Sequence, residues 1–370
     1  MKYLRFPFMS IIGQEEASLA IILNIINPQI GGILISGTKG TGKSSLIYGI
    51  PQISPEIKVF ANCKYNCLIE DIENQCSNCK KNKDLIDSSI INKELEVVNI
   101  PLNISEDNLF GKIDVEQLLK DGTRHFIPGI LAKANRQILY LDEVNLLPDH
   151  IIDSLLDVSA SGYNIVERDG FSIKHKCKFL LIGSMNKEEG ELRPQILDRF
   201  PLSVNIDTVK NSDERLEIIK RNLAFENNPD EFCQKYEKIN SLLKTSIIKA
   251  REMYPEVMIN EPLVKKVLDF LINYNVDGHR AEIVIIKTAK TYAAFEQKKV
   301  VELKHIIMAM KFALLHRTRD GGFKKPVVFN EIEDWFKNTK VLDSEKTLSV
   351  DVNPENISLF KGGLVSPLKK

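Results

Sequence analysis

The stretch "GGILISGTKGTGKSSL" (Gly31–Leu46) predicts the fold of the first half of the chain. It begins with a continuous apolar run that ends in glycine, which is typical of a strand buried on both faces of a parallel sheet. The residues after the glycine-rich part, "SSLIYGI", have helical spacing. Between them, "GTKGTGKS" satisfies the pattern G-x-x-x-x-G-K-[ST] of a phosphate-binding loop, in the strand–loop–helix context that this pattern requires.

The chemistry of such a loop depends on its backbone and on two side chains. Glycines let several N–H groups turn toward a phosphate, and the start of the following helix adds positive potential. We expect Lys43 to contact the β- and γ-phosphates of a nucleotide and the Ser44 hydroxyl to bind Mg²⁺. The predicted nucleotide-binding residues are Gly37, Thr38, Lys39, Gly40, Thr41, Gly42, Lys43, Ser44 and Ser45. The alternative is a glycine-rich turn that matches by chance, and the flanking strand and helix argue against it.

Two later segments, "RQILYLDEVN" and "CKFLLIGSMN", are also predicted to be buried strands. Each is followed by polar residues, where an α/β sheet carries its functional site. The segment between them, "HIIDSLLDVSASG", is amphipathic and predicts a helix that ends at Gly162. Strands that alternate with helices predict an α/β fold, with a parallel sheet covered on both faces.

Asp142 and Glu143 follow the first of these strands as an acidic pair. Such a pair is costly to desolvate unless it meets a cation or a proton to abstract. Beside a phosphate-binding loop, we expect Asp142 to support Mg²⁺ and Glu143 to orient or polarise the attacking water. Asn186 follows the next strand, and its neutral amide could hold that water or the γ-phosphate. The alternatives are two solvated acids at a strand end and an asparagine that only forms a turn.

Three arginines are candidates for contacts with phosphate, because the guanidinium group forks onto phosphate oxygens. Arg193 and Arg199 lie in "ELRPQILDRF", and an arginine there could reach the nucleotide of a neighbouring subunit as an arginine finger. Arg280 in "DGHRAE" begins a predicted helix, from which it could sense the nucleotide. The alternatives are a surface ion pair of Arg199 with Asp198 or Glu191, and an ordinary surface position for Arg280.

The second half of the chain is predicted to be helical, beginning with a Ser212–Asp213 capping signal. This pattern divides the chain into an α/β nucleotide-binding domain and smaller helical parts. The predicted divisions are 1–210 for the α/β domain, which includes a cysteine-rich loop at 61–82, 211–255 for a helical linker, 256–320 for an all-α lid domain and 321–370 for a C-terminal extension.

The charge of the chain is balanced, since its 370 residues include 50 Lys plus Arg and 50 Asp plus Glu. A net charge of zero gives no electrostatic signal for nucleic acid or for anionic membranes. The first residues lack the apolar run of a signal peptide, and no segment approaches about 20 uninterrupted apolar residues. We therefore expect a cytoplasmic protein with no membrane insertion and no nucleic-acid partner.

A cysteine cluster lies in "CKYNCLIEDIENQCSNCKK", with the spacing C-x3-C-x8-C-x2-C. Its members, Cys63, Cys67, Cys76 and Cys79, could bind Zn²⁺ tetrahedrally. A [4Fe–4S] cluster, a redox-active thiol pair and four reduced thiols in a surface loop are the alternatives. The loop is distant in sequence from the phosphate-binding residues, and we do not expect it to be catalytic.

Taken together and in this order, the strand–loop–helix, "LYLDEVN", "LIGSMN", "LRPQILDRF" and "GHRAE" resemble the AAA+ ATPases. Longer blocks are more specific. Two of them, "FPFMSIIGQEEASLAIILNIINPQIGGILISGTKGTGKS" and "GSMNKEEGELRPQILDRF", are similar to the I subunits of magnesium chelatases. The similarity extends from about residue 5 to about residue 318.

The resemblance implies a motor that binds ATP and Mg²⁺ and assembles with itself into a ring, which we expect to be a hexamer. Its implied partners are a D-type AAA+-like subunit with an integrin-type domain and a large porphyrin-binding subunit into whose substrate the metal is inserted. It also implies an insertion in the second helix, at about 104–128, and a hairpin at "YNIVERDGFSIKH". By this resemblance, Lys43 and Ser44 belong to the phosphate-binding loop, and Asp142 and Glu143 form the acidic pair at a strand end. Asn186 is the implied first sensor, Arg199 the arginine finger and Arg280 the second sensor. His279, before the second sensor, departs from the expected residue.

Two other functions compete with a chelatase motor. A related MoxR-like chaperone would use the same ATPase to remodel a protein partner. A helicase-like motor would need a nucleic-acid surface, which the balanced charge does not indicate. The long blocks favour the chelatase, without separating insertion of magnesium from insertion of cobalt or nickel.

Overall fold

The computed structural model describes residues 4–81, 90–122, 125–168, 171–320 and 322–338. Its strands are β1 Ile33–Gly37, β2 Ile57–Phe60, β3 Ile90–Lys93, β4 Val97–Asn99, β5 Gly111–Ile113, β6 Phe126–Pro128, β7 Ile138–Leu141, β8 Tyr163–Arg168, β9 Phe171–Lys176, β10 Leu180–Met185 and β11 Leu202–Ile206. Its α-helices are α1 Glu15–Ile26, α2 Lys43–Ile53, α3 Ser77–Lys81, α4 Glu106–Phe110, α5 Val115–Asp121, α6 Ile130–Ala134, α7 Asp149–Ser161, α8 Pro194–Arg199, α9 Ser212–Asn227, α10 Pro229–Met253, α11 Glu261–Asn273, α12 Arg280–Phe295, α13 Leu303–Leu314 and α14 Phe329–Asn338.

A five-stranded sheet of order β11-β1-β10-β7-β4 forms the centre of the α/β part. All of its neighbouring strands pair in parallel. The three strands predicted from apolar runs are β1, β10 and β7, which lie side by side. The predicted α/β fold with a parallel sheet is therefore confirmed. Because parallel strands end at one edge of the sheet, the polar residues that follow them meet there.

The sheet has an apolar core on each face, because successive side chains of a strand point to opposite sides. In β1, Ile33 and Ile35 pack into one core with α1, α2 and the C-terminal helices α10 to α14. Leu34 packs into the other core, with α6, α7 and α8. The helix between the two later strands, α7, ends at Gly162 in the left-handed conformation, as its sequence predicted.

Antiparallel hairpins project from this framework. Strands β8 and β9 pair over their whole length and form the hairpin expected before the sensor strand β10. Within the predicted insertion, β5 pairs with β6. The cysteine-rich loop lies between β2 and β3, which also pair with one another.

The helical half begins with α9, whose cap differs from the prediction by one residue. Asn211, not Ser212, is the cap, and its side-chain oxygen accepts hydrogen bonds from the backbone N–H groups of Asp213 (2.8 Å) and Glu214 (3.4 Å). An asparagine oxygen caps a helix as well as a serine hydroxyl does, so the local pattern left both positions open. Within the described ranges, no helix combines the length and apolar character that crossing a bilayer would require.

The start of the predicted C-terminal extension packs against the helical part. Ile332 and Phe336 of α14 are buried, and the Trp335 ring lies 5.7 Å from that of Phe270 on α11. Residue 321 and residues 339–370 of that extension lie outside the described residues, as do 82 in the cysteine-rich loop, 123–124 in the insertion and 169–170 in the hairpin.

Candidate active site

The glycine-rich loop between β1 and α2 forms one wall of a cleft of about 730 Å³. Gly40 (φ +78°) and Gly42 (φ +81°) both have left-handed backbones. A Cβ atom at Gly40 would meet nothing within 4 Å, so the backbone conformation is what requires glycine there. Loop residues from Lys39 to Ser45 line the cleft, together with the strand ends at Asp142 and Asn186. The residues predicted from three separate strand ends thus meet at one site.

Lys43 is held by the carbonyl groups of its own loop. Its Nζ donates hydrogen bonds to the oxygens of Gly37 (2.6 Å) and Thr38 (2.8 Å). Burial lowers the pKa of Lys43, and the carboxylates of Asp142 and Glu143 act in the opposite direction. A partly desolvated ammonium group at a curled glycine loop is suited to bind phosphate oxygens.

Asp142 is fixed by two hydroxyl groups that both donate to its Oδ1 atom. Tyr140 of β7 donates over 2.7 Å, and Ser184 of the neighbouring strand β10 donates over 2.6 Å. Burial raises the pKa of Tyr140, which keeps its phenol protonated as a donor. Sequence reasoning identified Asp142 but missed Tyr140 and Ser184. Each of these residues places a hydroxyl group inside an apolar strand, and a buried hydroxyl requires a hydrogen-bond partner. That requirement was the signal that could have identified them.

Glu143 has an unusual backbone conformation for a residue with a side chain, with φ +51°. Its N–H donates to Ser184 Oγ over 3.2 Å. A left-handed backbone at a non-glycine residue costs about 1–3 kcal/mol and persists where the surrounding structure imposes it, often at functional sites. The turn after β7 thus places the Glu143 carboxylate in the lining of the cleft.

Asn186 has a buried donor that faces no acceptor in the described part of the chain. The residue is 3% exposed. Its Oδ1 accepts from the Glu188 N–H over 3.2 Å, whereas Nδ2 is buried without a partner among the described residues. Since buried polar groups are nearly always paired, this amide at the wall of the cleft fits a water or a phosphate oxygen.

The far wall of the cleft carries an apolar patch that sequence reasoning missed. It combines the N-terminal segment, the residues after β11 and helix α9. Arg215 and Arg221 of α9 also line this wall, and its apolar residues are Phe6, Ile11, Ile12, Val209, Ile218 and Ile219. Gln14 connects this wall to the glycine-rich loop through a hydrogen bond from its Nε2 to the oxygen of Thr41. An apolar patch beside a phosphate site suits a flat heterocyclic base.

Arg199, the predicted finger, is not part of the cleft lining. It lies at the end of α8 and pairs with Asp153 (2.9 Å) and with Asp157, both on α7. These partners differ from Asp198 and Glu191, the surface partners considered as the alternative. Arg193, at the start of the same helix, pairs with Asp149 of α7 over 2.7 Å.

Arg280 also lies outside the cleft lining, at the first position of α12. Its guanidinium group lies 3.5 Å from the carboxylate of Asp198, the residue before Arg199. Arg317, whose side chain is 1% exposed, pairs with the same carboxylate. Two arginines of the helical part therefore hold the helix that carries the predicted finger.

Among the described residues, two further groups besides the cysteines combine side chains of the types that bind metal ions. Ser44 and Asp142 face the same cleft and supply the oxygen ligands that Mg²⁺ prefers, so their chemistry fits the ion expected with a nucleotide. Glu296, Glu302 and His305 also cluster, but His305 uses Nδ1 to accept from the Glu302 N–H (2.9 Å) and contacts Glu296 through Nε2 (3.0 Å). This second group is a helix cap with both imidazole nitrogens engaged.

Comparison with known proteins places this geometry in a family. A model of the AAA domain (dynein-related subfamily) matches residues 84–200, and a model of the AAA lid domain matches 269–334. The chain is 44% identical over 331 residues to a magnesium-chelatase subunit ChlI homolog of Methanocaldococcus jannaschii, a match that covers 90% of each protein. The chain belongs to the magnesium-chelatase I-subunit family. It is likewise 42% identical to the subunit ChlI of Cyanophora paradoxa, over 88% of this chain and 96% of that protein.

Solved structures agree with this membership. The chain is 37% identical to a subunit in the complex of BchI and BchD of magnesium chelatase, which is based on a single-particle cryo-EM reconstruction, with a TM-score of 0.52 over 90% of this chain and 99% of that one. A putative ATPase from Cytophaga hutchinsonii, 16% identical with a TM-score of 0.58 over 91% and 93%, shares the fold alone. This member of the I-subunit family is therefore an AAA ATPase of the chelatase type, which uses ATP and Mg²⁺. The chaperone alternative is not favoured.

Proposed function

We propose that this chain is the motor subunit whose ATP hydrolysis drives insertion of a metal ion into a porphyrin. The product would be a Mg²⁺ complex of protoporphyrin IX or a related Co²⁺ or Ni²⁺ tetrapyrrole. One observation carries the proposal: the Lys43 loop, the Asp142–Glu143 turn and Asn186 meet in one cleft, in a chain 42–44% identical to magnesium-chelatase subunits.

Within the cleft, each predicted residue has a distinct role. The loop from Gly37 to Ser45 binds the phosphates, with Lys43 at the β- and γ-phosphates. Ser44 and Asp142 hold Mg²⁺, which neutralises phosphate charge when bound. Glu143 orients and polarises the attacking water, and the unpaired Nδ2 of Asn186 holds that water or the γ-phosphate.

We propose that the site is completed by a second copy of the chain. Arg199 and Arg280 line no part of their own cleft, so their roles as finger and second sensor require another conformation or a neighbour. Arg199 lies on α8 at the surface, held by two exposed aspartates that a stronger phosphate partner could replace. The expected assembly is a hexameric ring that works with an integrin-domain D-type subunit and a large porphyrin-binding subunit. The solved complex of a relative with BchD supports the D-type partner in this proposal.

The four cysteines are proposed to take no part in hydrolysis. None of Cys63, Cys67, Cys76 and Cys79 lines the cleft. Their loop contacts Arg136, which precedes β7, and so lies at the amino end of a strand whose carboxyl end leads into the cleft.

The ATPase assignment is tested with Glu143→Gln. We expect nucleotide binding to persist, because Lys43 and Asp142 remain, and hydrolysis to fall by about 10²–10⁴-fold, the usual contribution of a general base. Binding of a fluorescent ATP analogue and release of phosphate measure the two effects. Glu191→Gln, an exposed acid outside the cleft lining, is the matched control. Wild-type turnover in Glu143→Gln would show that another group activates the water.

The chelatase assignment is tested by reconstitution. The chain is combined with D-type and porphyrin-binding subunits from the same source, and insertion of Mg²⁺, Co²⁺ or Ni²⁺ into the porphyrin is followed by absorbance. ATP-dependent metal insertion supports the proposal and identifies the metal. Hydrolysis without insertion of any of the three would overturn it in favour of remodelling of a protein partner.

A further inference from the structure

The four cysteines of the loop after β2 converge on one point. The Sγ atoms of Cys63, Cys67, Cys76 and Cys79 all lie within 4.8 Å of one another, and those of Cys63 and Cys76 are 3.9 Å apart. Four sulfurs placed about 2.3 Å from one tetrahedral Zn²⁺ would be about 3.8 Å apart. We propose that these cysteines form a closed, structural Zn²⁺ site.

The backbone around the sulfurs is arranged to stabilise thiolates. The Tyr65 N–H donates to Cys63 Sγ over 3.4 Å, and the Cys76 N–H donates to Cys67 Sγ over 3.2 Å. A neutral thiol is a weak acceptor, whereas a metal-bound thiolate is commonly held by such outer contacts. The loop thus supplies ligands and the donors that orient them.

The spacing of the sulfurs argues against the other occupants of a four-cysteine loop. In a [4Fe–4S] cluster each thiolate binds a different iron at the corner of a cube, which separates the sulfurs more widely than a single ion does. A disulfide needs sulfurs about 2.05 Å apart, and all four of these cysteines are free. A redox pair would also leave the convergence of the other two thiols unexplained.

The described part of the loop, residues 61–81, has no sizeable apolar core of its own that could hold it without a metal. Its local cluster consists of Phe60, Cys67 and Cys79, with Cys63, Tyr65, Ile69 and Cys76 packed against it. Four of these seven residues are the cysteines themselves. Small units with too little apolar surface commonly obtain their folding free energy from a structural metal.

The proposed site holds the loop against the base of the β8–β9 hairpin. Asp71, between the two cysteine pairs, accepts from Arg136 (2.7 Å) and from Lys176 at the end of β9 (2.8 Å). Asn74 accepts from the hydroxyl of Tyr163 at the start of β8, over 3.0 Å. Both strands of the hairpin are therefore tied to the loop that the metal would fold, and the metal would act by anchoring the hairpin.

Metal analysis of the full chain tests the site. Protein purified under reducing conditions is expected to contain one Zn²⁺ per chain, and Co²⁺ exchanged into it should give the visible spectrum of tetrahedral thiolate ligation. Cys67→Ser and Cys79→Ser should each lose the metal, whereas Cys233→Ser, on α10, should retain it. The proposal would be overturned if the purified wild-type protein contained iron with acid-labile sulfide. It would also be overturned if that protein contained no metal and its four thiols reacted freely. Both results come from the wild-type protein, so they remain decisive even if a variant fails to fold.

Hydrogen exchange tests the anchoring. Removing Zn²⁺ with a chelator and then restoring Mg²⁺ should leave amide exchange in β8 and β9 at least tenfold faster, while binding of a fluorescent ATP analogue stays unchanged. Restoring Zn²⁺ should restore protection. Unchanged exchange in the hairpin after metal removal would show that the metal does not anchor it. Neither readout depends on ATP hydrolysis, so failure here is distinct from failure of the proposed motor function.

Discussion

Ser184 on β10 and Asp142 at the end of β7 are joined by a 2.6 Å hydrogen bond from the serine hydroxyl to the carboxylate Oδ1. The same hydroxyl accepts from the backbone N–H of Glu143 over 3.2 Å. One side chain thus fixes both the proposed Mg²⁺ ligand and the strained residue proposed to activate water. Ser184 itself is proposed to contact neither the ion nor the water, so we regard it as a positioning residue.

Replacing this hydroxyl should slow hydrolysis without removing nucleotide binding. In Ser184→Ala, Asp142 keeps its bond from Tyr140, but Glu143 loses the contact that holds its left-handed backbone. We expect kcat for ATP hydrolysis to fall roughly tenfold with KM nearly unchanged, and stability to fall by about 1 kcal/mol for the lost hydrogen bonds.

Steady-state phosphate release and urea unfolding measure these two effects. Ser203→Ala, which alters a buried serine of β11 outside the cleft lining, is the matched control and should leave kcat unchanged. A kcat within twofold of wild type in Ser184→Ala would show that its hydroxyl does not position the site.

Arg193, which caps α8, and Arg199, which ends it, should differ in mixed assemblies. Both pair with aspartates of α7, but only Arg199 is proposed to reach the nucleotide of a neighbour. Arg199→Ala should bind ATP, hydrolyse it at least 10²-fold more slowly, and inactivate wild-type neighbours when the two are mixed. The control, Arg193→Ala, loses an equivalent surface ion pair, and such a pair contributes less than about 1 kcal/mol to the free energy of unfolding.

Titration of the mutant fraction in the mixture decides between action within and between subunits. A finger in trans predicts that hydrolysis falls more steeply than the wild-type fraction. A strictly proportional fall would indicate that Arg199 serves its own subunit.

His316 should make stability depend on pH. It follows α13, and its Nε2 donates to the Phe200 oxygen over 2.7 Å at the end of α8. Burial, with a smaller effect of the Arg317 cation, lowers its pKa to about 3. The unfolded chain binds a proton at a pKa of about 6.5, so between pH 6.5 and 3 it binds more protons than the folded chain. Stability is therefore full above pH 6.5 and falls as the pH is lowered.

The expected loss is about 1 kcal/mol between pH 7 and pH 5.5, since each pKa unit corresponds to about 1.4 kcal/mol. Urea unfolding at the two pH values measures it. His316→Gln should be less stable than wild type at both pH values, but its stability should no longer fall by this amount between them. His125→Gln, which replaces an exposed histidine, should keep the wild-type pH dependence. An equal dependence in wild type and His316→Gln would mean that another group is responsible.

Local patterns were sufficient for much of the fold and for the residues around which the site is built. Apolar runs predicted β1, β7 and β10, and Gly162 predicted the end of α7. These signals succeed because a buried parallel strand and a helix stop each depend on neighbouring residues. The cap of α9 shows the limit, since Asn211 and Ser212 are both good caps and only the fold selected between them.

The rest of the site is assembled from distant segments. The apolar patch of the cleft combines Ile12, Val209 and Ile218, and no regular spacing in the sequence indicates that they lie together. Likewise, the partners of Arg199 proved to be Asp153 and Asp157, because α7 and α8 pack together on one face of the sheet. A side chain's partners depend on such packing, which sequence distance does not reveal.

The chain's own pattern specifies the loop proposed to bind phosphate, the acids at a strand end and the four cysteines, because each is a short motif of consecutive or closely spaced residues. The sheet, however, determines that the loop and the acids lie at one site. Strand β10 lies between β1 and β7, with Ser36 opposite Met185 and Leu141 opposite Gly183. This register brings Ser184 and Asn186 beside Asp142 and the Lys43 loop, because hydrogen bonding between strands, and not their order in the chain, determines which side chains are neighbours.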